Sequence, residues 1–287
     1  ERIGETVGYR IRGETRAGPE TRIEVITEGI LTRMIQDSPD LPGVGAVIFD
    51  EFHERSLAAD LGLALCLDVA QALRDDLMLL AMSATLDAAP VANLMDCRMV
   101  RAQGRAFAVE TRWLERPLTP GDRRDGPMAD LIVQAEGATR DTGGAILAFL
   151  PGEGEIRRVQ ALLKGQLPKT CEIAPLYGAM PFSAQRDAIA PARSGRKIVL
   201  ATSIAETSLT IPDVRVVVDG GQARRARFDP ACGMQRLVTE RVTRAEATQR
   251  SGRAGRVGLG TGVRGRGATQ RRWPGEAGAC GRWSHRR

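Results

Sequence analysis

Residues 44–53 read VGAVIFDEFH, a short apolar run that ends directly in two acids. The run is too short for a helix and does not alternate with polar residues, which predicts a strand buried on both faces of a parallel sheet. A second run, LMLLAM at 77–82, follows a helical pattern over 57–73 and ends in Ser83-Ala84-Thr85. Strand, helix and strand therefore alternate, as in an α/β fold.

The alternation restarts after a charged, Pro- and Gly-containing stretch at 112–124. Before it, residues 28–36 also show helical spacing. After it come four strand candidates and two helix candidates, at 145–150, 171–176, 197–201 and 215–218, and at 153–167 and 182–190. We expect two α/β lobes with doubly wound parallel sheets, whose ligands bind outside the carboxyl ends of the strands.

These patterns predict four segments. They are a first lobe at 1–111, a linker at 112–124, a second lobe at 125–260, and an atypical Gly/Arg-rich tail at 261–287.

The composition sets limits on function. With 287 residues, 43% of them hydrophobic, the chain can build two modest cores. Only 4% of residues are aromatic, so base stacking is not expected to be the main mode of any nucleic-acid contact. The formal net charge of +6 gives weak support to a polyanionic partner. No apolar run approaches a membrane span and no signal peptide is evident, so we expect a protein without membrane association.

The five cysteines are scattered, without the paired spacing of a zinc site or a disulfide framework. A reducing cytoplasm is the compartment that this usage favours. They are Cys66, Cys97, Cys171, Cys232 and Cys280.

Asp50, Glu51 and His53 stand at the carboxyl end of the first strand candidate. Two adjacent carboxylates at a strand end raise the free energy of the folded protein unless they bind a ligand. A metal-bound nucleotide is such a ligand. One acid can orient Mg²⁺ through its water shell while the other polarises the attacking water. The alternative is that both acids cap the helix that begins near Leu57.

Residues 249–256, QRSGRAGR, place Gln249, Arg253 and Arg256 at helical spacing. Arginines presented in this way can neutralise charge on a transferring phosphoryl group while the glutamine positions water. The alternative is a solvated basic helix end.

A hydroxyl-rich turn at 202–208, TSIAETS, follows the strand candidate KIVLA. Its amides and hydroxyls can contact a phosphate of RNA or of ATP. The alternative is a capping box in which Ser203 and Glu206 begin a helix.

Seven segments taken in order resemble the signatures of the DEAH-box group of superfamily 2 RNA helicases. They are TEGILTR (27–33), DEFHER (50–55), MSAT (82–85), FLPGEGEI (149–156), PLYGAM (175–180), LATSIAETSLTIP (200–212) and QRSGRAGR (249–256). Phe52 replaces the alanine of the usual tetrad, and DEFHERS with RIEVITEGILTRM resembles the HrpB-type bacterial branch. The resemblance covers residues 1–256 and implies two RecA-like lobes, the first of them N-terminally truncated.

The resemblance also implies ATP and Mg²⁺ as cofactors and RNA as the partner, held mainly by its backbone. Asp50 and Glu51 would hold Mg²⁺ through water and activate the attacking water. The coupling residues would be His53, Ser83 and Thr85, and the groups facing ATP from the second lobe would be Gln249, Arg253 and Arg256. Thr27, Glu28, Gly29 and Thr202 would contact RNA phosphate and sugar.

The segment 219–242 resembles the hairpin with which DEAH helicases help to part a duplex. An ordinary surface hairpin explains the same residues equally well.

The chain departs from the family pattern in one respect that matters for catalysis. No G-x-x-x-x-G-K-[ST] occurs in the 287 residues, so we expect a fragment that binds ATP poorly and hydrolyses little of it alone. For residues 261–287, a disordered RNA-binding tail and a frameshifted end both stay open. Two other functions also stay open: a non-catalytic, truncated nucleic-acid-binding module, and a DNA-directed translocase of the same superfamily.

Overall fold

The structure is a computed structural model that describes residues 2–83, 88–102, 107–113, 123–206, 209–255 and 260–264. It divides into two compact units, Glu1–Ala102 and Gln103–Arg287, called unit 1 and unit 2 below.

The described residues of unit 1 form five strands and three α-helices. In chain order they are β1 (Val7–Ile11), β2 (Glu14–Arg16), β3 (Ile23–Ile26), α1 (Glu28–Asp37), β4 (Ala46–Phe49), α2 (Leu57–Ala72), β5 (Met78–Ala81) and α3 (Ala89–Leu94). Strands β1 to β3 form one sheet in the order β2-β1-β3, and β4 pairs in parallel with β5. The predicted helices at 28–36 and 57–73 are confirmed.

The core of unit 1 lies on one face of the β4–β5 pair. Phe49 packs there with residues of α1 and α2, among them Leu31, Leu63 and Cys66. The other face is open in the part of the chain that the structure describes, with Ile48 57% and Met78 66% exposed. The prediction that these strands are buried on both faces is therefore wrong for this unit, because the described helices cover only one face.

In the part of unit 2 that the structure describes there are eight strands and four α-helices. They are β6 (Val109–Trp113), α4 (Asp125–Ala138), β7 (Ala145–Phe149), α5 (Glu153–Leu163), β8 (Cys171–Leu176), α6 (Phe182–Ile189), β9 (Arg196–Ala201), β10 (Val214–Asp219), β11 (Gln222–Asp229), β12 (Met234–Arg241), α7 (Arg244–Gly252) and β13 (Gly260–Arg264).

Six of these strands form a parallel sheet in the order β6-β13-β10-β7-β9-β8. Alternate residues of its central strands enter two separate cores. Ile146 and Ile198 face α4 and α5, whereas Leu147 and Val199 pack with Ala188 of α6. Helices therefore cover both faces, and the doubly wound sheet predicted for the second lobe is confirmed.

Strands β11 and β12 form an antiparallel hairpin over 222–241, within the segment predicted to contain one. Arginines of β11 attach it to its surroundings. Arg224 pairs with Glu155 of α5, and Arg225 pairs with Glu246 of α7.

Two segments lie in unit 2 that the sequence patterns placed elsewhere. Residues 109–113 form the edge strand β6. The predicted boundary between the first lobe and the linker falls inside this strand. Residues 260–264, placed mostly in the tail, form β13 between β6 and β10. Neither segment is strongly apolar, and each is fixed by main-chain pairing with distant strands. The rest of the tail, 265–287, and most of the predicted linker, 114–122, lie outside the described residues.

Within the described ranges, no helix combines the length and the apolar character that a bilayer crossing requires.

Candidate functional site

The turn that follows β4, residues 50–55, is called the acid turn. It contains a short 3₁₀ helix, Phe52–Glu54, with Glu51 at φ 49° and Arg55 at φ 51° on either side. Non-glycine residues rarely adopt positive φ, and the surrounding structure must compensate for the strain. Such compensation is typical of residues held in place for a function.

Main-chain hydrogen bonds fix the acid turn to the end of β5. The Met82 amide donates to the Phe49 carbonyl oxygen over 2.8 Å, and the Phe52 amide donates to the Met82 oxygen over 2.9 Å. These bonds place Ser83, which is exposed, directly after a residue in contact with the turn. Thr85, predicted to act with Ser83, lies outside the described residues.

Phe52 anchors the turn by its side chain. It is 4% exposed and meets the Phe49 ring edge to face at 5.9 Å, while the Arg55 guanidinium lies 5.6 Å from its ring centroid. The aromatic residue at this position therefore fills the unit 1 core and ties the acid turn to it.

The two carboxylates of the acid turn have different surroundings. Asp50 is exposed, and its Oδ1 accepts the Glu51 amide over 2.8 Å. Glu51 Oε2 lies 3.4 Å from Nδ1 of His53, whose side chain is only 8% exposed. Buried imidazole thus orients one acid while the other projects toward solvent.

Neither acid caps α2. Ser56 is the N-cap residue, and its Oγ accepts the Ala59 amide over 2.9 Å. The helix-cap explanation of Asp50 and Glu51 is therefore wrong. Both carboxylates remain free of that structural role.

Thr27, Glu28 and Gly29 are exposed at the start of α1, where Thr27 is the N-cap residue. Glu28 Oε1 accepts a hydrogen bond from Ser56 Oγ over 2.8 Å. This bond links the predicted RNA-facing element to the start of α2, just beyond the acid turn.

In unit 2, Arg250 is the centre of a buried ionic cluster. Its guanidinium is 1% exposed and donates to Glu206 Oε1 over 2.6 Å and to Asp219 Oδ1 over 2.7 Å. It also donates to the Gln222 carbonyl oxygen over 3.2 Å and lies 4.7 Å from the Phe149 ring centroid. This one side chain therefore joins α7, the turn after β9, the end of β10 and the base of the hairpin.

The charges of this cluster are set by burial and by each other. Burial opposes the charge of Arg250, but the carboxylates of Asp219 and Glu206 outweigh it and raise the arginine pKa. Burial raises the pKa of Glu206, and the neighbouring guanidinium only partly offsets this effect. Arg250 is therefore charged at all ordinary pH values.

Arg253 is also buried, at 4% exposure. Its Nε donates to the Glu206 carbonyl oxygen over 2.8 Å, and its Nη1 donates to the Leu209 oxygen over 2.7 Å. The interpretation of this segment as a solvated basic helix end is therefore wrong. Arg253 lies in the 3₁₀ turn Arg253–Gly255 after α7, Gln249 lies half-buried in α7, and Arg256 lies outside the described residues.

The turn after β9 begins with Thr202, whose amide donates to the Leu176 carbonyl oxygen over 3.1 Å. The predicted capping box does not form there: Ser203–Ala205 is a 3₁₀ turn, and Glu206 binds Arg250 instead. A capping box does exist in α7, between Thr243 and Glu246. The turn is thus held by buried arginines rather than by a helix of its own.

The sequence patterns do not indicate a role for Arg250 or Asp219, and they assign Glu206 to a helix cap. The available signal for Asp219 was its position, an acid directly after the apolar run of β10. Arg250 lies within QRSGRAGR but not on the helix face shared by Gln249 and Arg253. Helical spacing therefore does not predict a functional role for Arg250.

The known proteins that the chain is similar to are helicases. Residues 128–258 match the helicase conserved C-terminal domain. Over 259 residues the chain is 55% identical to the ATP-dependent RNA helicase HrpB of Escherichia coli (strain K12), a match that covers 90% of this chain and 31% of that protein. It is 37% identical over 267 residues to the ATP-dependent RNA helicase HrpA homolog of Haemophilus influenzae, covering 91% of this chain and 20% of that one.

The fold agrees with the sequence match. The crystal structure of the Escherichia coli DEAH/RHA helicase HrpB superposes with a TM-score of 0.83 at 53% identity, covering 92% of this chain and 33% of that one. The chain spans about a third or less of the length of these relatives. The matching domain, the identity and the shared RecA-like fold show that the chain is similar, over most of its length, to HrpB-type DEAH-box helicases.

Proposed function

We propose that this chain forms motor lobes of an ATP-dependent RNA helicase, in which ATP hydrolysis drives movement along RNA and parts duplexes. Unit 1 is assigned as an ATP-binding lobe and unit 2 as the C-terminal lobe. The observation that carries the proposal is the acid turn. Two carboxylates leave a parallel strand at its carboxyl end in a strained turn, with no role as helix caps.

The acid turn suits a Mg²⁺–ATP complex. Mg²⁺ in nucleotide sites uses one or two carboxylates, with water and phosphate oxygens as its other ligands. Asp50 would hold Mg²⁺ through water, and the ion would neutralise phosphate charge when bound.

Glu51 is assigned as the residue that polarises the attacking water. His53, 3.4 Å from its carboxylate, orients it and forms the first link in coupling, with Ser83 and Thr85 as further links. In unit 2, Gln249 and Arg256 are assigned to the water and the phosphate. Because Arg253 already binds the carbonyl oxygens of Glu206 and Leu209, its contact with phosphate would require the turn after β9 to rearrange.

RNA is assigned to Thr27, Glu28 and Gly29 in unit 1 and to Thr202 in unit 2, through phosphate and sugar contacts. The hairpin of β11 and β12 is the proposed element for parting a duplex. Its tip carries exposed apolar side chains, Phe228 at 63% and Met234 at 66%. We place the protein in the cytoplasm, where both proposed substrates occur.

The test is a chimaera in which the matched region of Escherichia coli HrpB is replaced by the corresponding residues of this chain. We expect RNA-stimulated ATP hydrolysis, lowered at least about 100-fold by Glu51→Gln with ATP binding retained, since the substitution removes only the proton acceptor. Residues 1–287 alone, which contain no G-x-x-x-x-G-K-[ST], should hydrolyse little ATP.

The alternatives give different results. A chimaera that binds RNA but shows no hydrolysis, while folded, would favour a non-catalytic binding module. Stimulation by single-stranded DNA that exceeds stimulation by RNA would favour a DNA-directed translocase.

A further inference from the structure

Phe182 is an aromatic side chain in an unexpected place. It is the first residue of α6, is 78% exposed, and belongs to none of the hydrophobic clusters formed by the described residues. A single exposed apolar side chain is ordinary on protein surfaces. Three features of its surroundings distinguish this one.

The first feature is its position in the fold. Strand β8 ends at Leu176, paired in parallel with Ala201 of β9, so the segment from 177 onward leaves the sheet at the same edge as Thr202. The hydrogen bond from the Thr202 amide to the Leu176 oxygen joins these two exits directly. Phe182 therefore lies six residues after the end of β8. That strand end is hydrogen-bonded to Thr202, the residue assigned to the RNA backbone in unit 2.

The second feature is rigidity. Gln185 Nε2 donates to the carbonyl oxygens of Met180, over 2.8 Å, and Gly178, over 3.3 Å, and so fastens the loop before Phe182 to α6. The Met180 amide closes a turn onto the Tyr177 oxygen over 3.2 Å. An aromatic ring on a fixed loop loses little conformational freedom on binding, which favours affinity.

The third feature is the neighbouring charge. Arg186 lies four residues after Phe182, on the same face of α6. It is exposed and makes no ion pair with any residue that the structure describes, unlike Arg157 and Arg158 of α5. An aromatic face beside an uncompensated guanidinium is the combination that binds single-stranded nucleic acid, by stacking of a base and contact with its phosphate.

We propose that Phe182 stacks on one nucleobase of a bound RNA strand while Arg186 contacts an adjacent phosphate. The inference rests on the proposed function, because it requires RNA to run past Thr202. It adds one stacking contact to an interface otherwise made with phosphate and sugar. Stacking on a ring does not read the base, so the contact holds RNA without sequence preference.

The test measures binding of the 287-residue chain to fluorescein-labelled oligouridylate by anisotropy. Phe182→Ala and Phe182→Leu should each weaken binding about tenfold, and Phe182→Tyr should bind like the unmodified chain, because only a ring stacks. Arg186→Gln should lower the slope of log affinity against log salt by about 0.7. Leu162→Ala, an exposed apolar residue near the far end of α5, is the matched control and should bind normally.

An oligomer with abasic sites at every internal position distinguishes the loss of base stacking from a structural effect of the substitution. Phe182→Ala should bind it as well as the unmodified chain does. Equal loss on both oligomers, or no loss on either, would overturn the stacking proposal. If the unmodified chain bound no RNA at all, the proposed function itself would fail, which is a distinguishable result. Unchanged circular dichroism of each variant confirms that folding is retained.

Discussion

Replacing Arg250 by methionine should destabilise unit 2 strongly. The substitution retains much of the side-chain volume but removes the positive charge that pairs with both Glu206 and Asp219. Both carboxylates are buried, at 8% and 2% exposure, and each accepts a hydrogen bond from the lost guanidinium. Their negative charges would then face each other without compensation.

The size of the effect follows from this geometry. Breaking a buried ion pair by removing one partner costs about 3–5 kcal/mol, most of it from the charge left behind. Two carboxylates share Arg250, so we expect the upper part of this range. The triple variant with Glu206→Gln and Asp219→Asn removes the stranded charges and should recover at least about half of the loss. Arg250→Lys retains the charge but not the planar fork, and should cost about 1–3 kcal/mol.

Urea unfolding followed by tryptophan fluorescence is a suitable assay. Trp113 lies in β6 of unit 2, so the change in its fluorescence reports on that unit. With a slope of about 2–3 kcal/mol per molar urea, the midpoint for Arg250→Met should fall by on the order of 1.5–2 M. A midpoint within about 0.3 M of the unmodified chain would show that the cluster contributes no stability. Full loss in the triple variant would show that stranded charge is not the cause.

Three further predictions concern other parts of the fold. Gly195→Ala should destabilise unit 2 by at least about 2 kcal/mol in urea unfolding, because φ is +67° at this residue and a Cβ would lie 2.0 Å from a main-chain oxygen. The control is Gly137→Ala, on the open surface of α4, which should stabilise unit 2 by about 0.5–1 kcal/mol. Cys66 is fully buried, and burial raises the pKa of its thiol to about 11, whereas Cys232 is exposed. At pH 8, dithionitrobenzoate should therefore label Cys232 quickly and Cys66 only after unfolding. Fast labelling of both cysteines in the folded protein would contradict the packing of Cys66. The pKa of Glu246 is lowered because, although burial opposes its charge, hydrogen bonds from its neighbours outweigh burial. Its contribution to stability is thus present above its usual pKa of 4.5 and lost as pH falls through the lower folded value. Glu246→Gln should lower the urea midpoint at pH 7, and the difference in midpoint between variant and unmodified chain should shrink below pH 4. An equal difference in midpoint at pH 7 and below pH 4 would refute the assignment.

The central strands of unit 2 could be predicted closely from sequence. Strand β7 and residues 198–201 of β9 are continuous apolar runs, because helices cover both faces of the sheet and these residues need no polar face. Strand β13, GTGVR, has no comparable signal. Its place between β6 and β10 comes from main-chain pairing with segments about 150 and 45 residues away, which no local pattern encodes.

The sites show the same division. Asp50 and Glu51 were recognisable because strand and acids are contiguous, and the structure keeps them together at one strand end. The cluster around Arg250 joins residues separated by 31 and 44 positions, so only the fold brings them together. Helical spacing also failed for Arg253, because α7 ends at Gly252 and the 3₁₀ turn after it points the side chain inward.

We propose that the acid turn supplies the carboxylates for the ATP hydrolysis that drives movement on RNA. The most direct measurement is ATP-driven displacement of a labelled strand from an RNA duplex with a single-stranded overhang, using the HrpB chimaera and its Glu51→Gln variant. We predict displacement by the chimaera with ATP, none without it, and none by the variant, although the variant still binds ATP and RNA. Displacement by the variant at the rate of the parent chimaera would contradict the role assigned to Glu51 and, with it, the proposed motor.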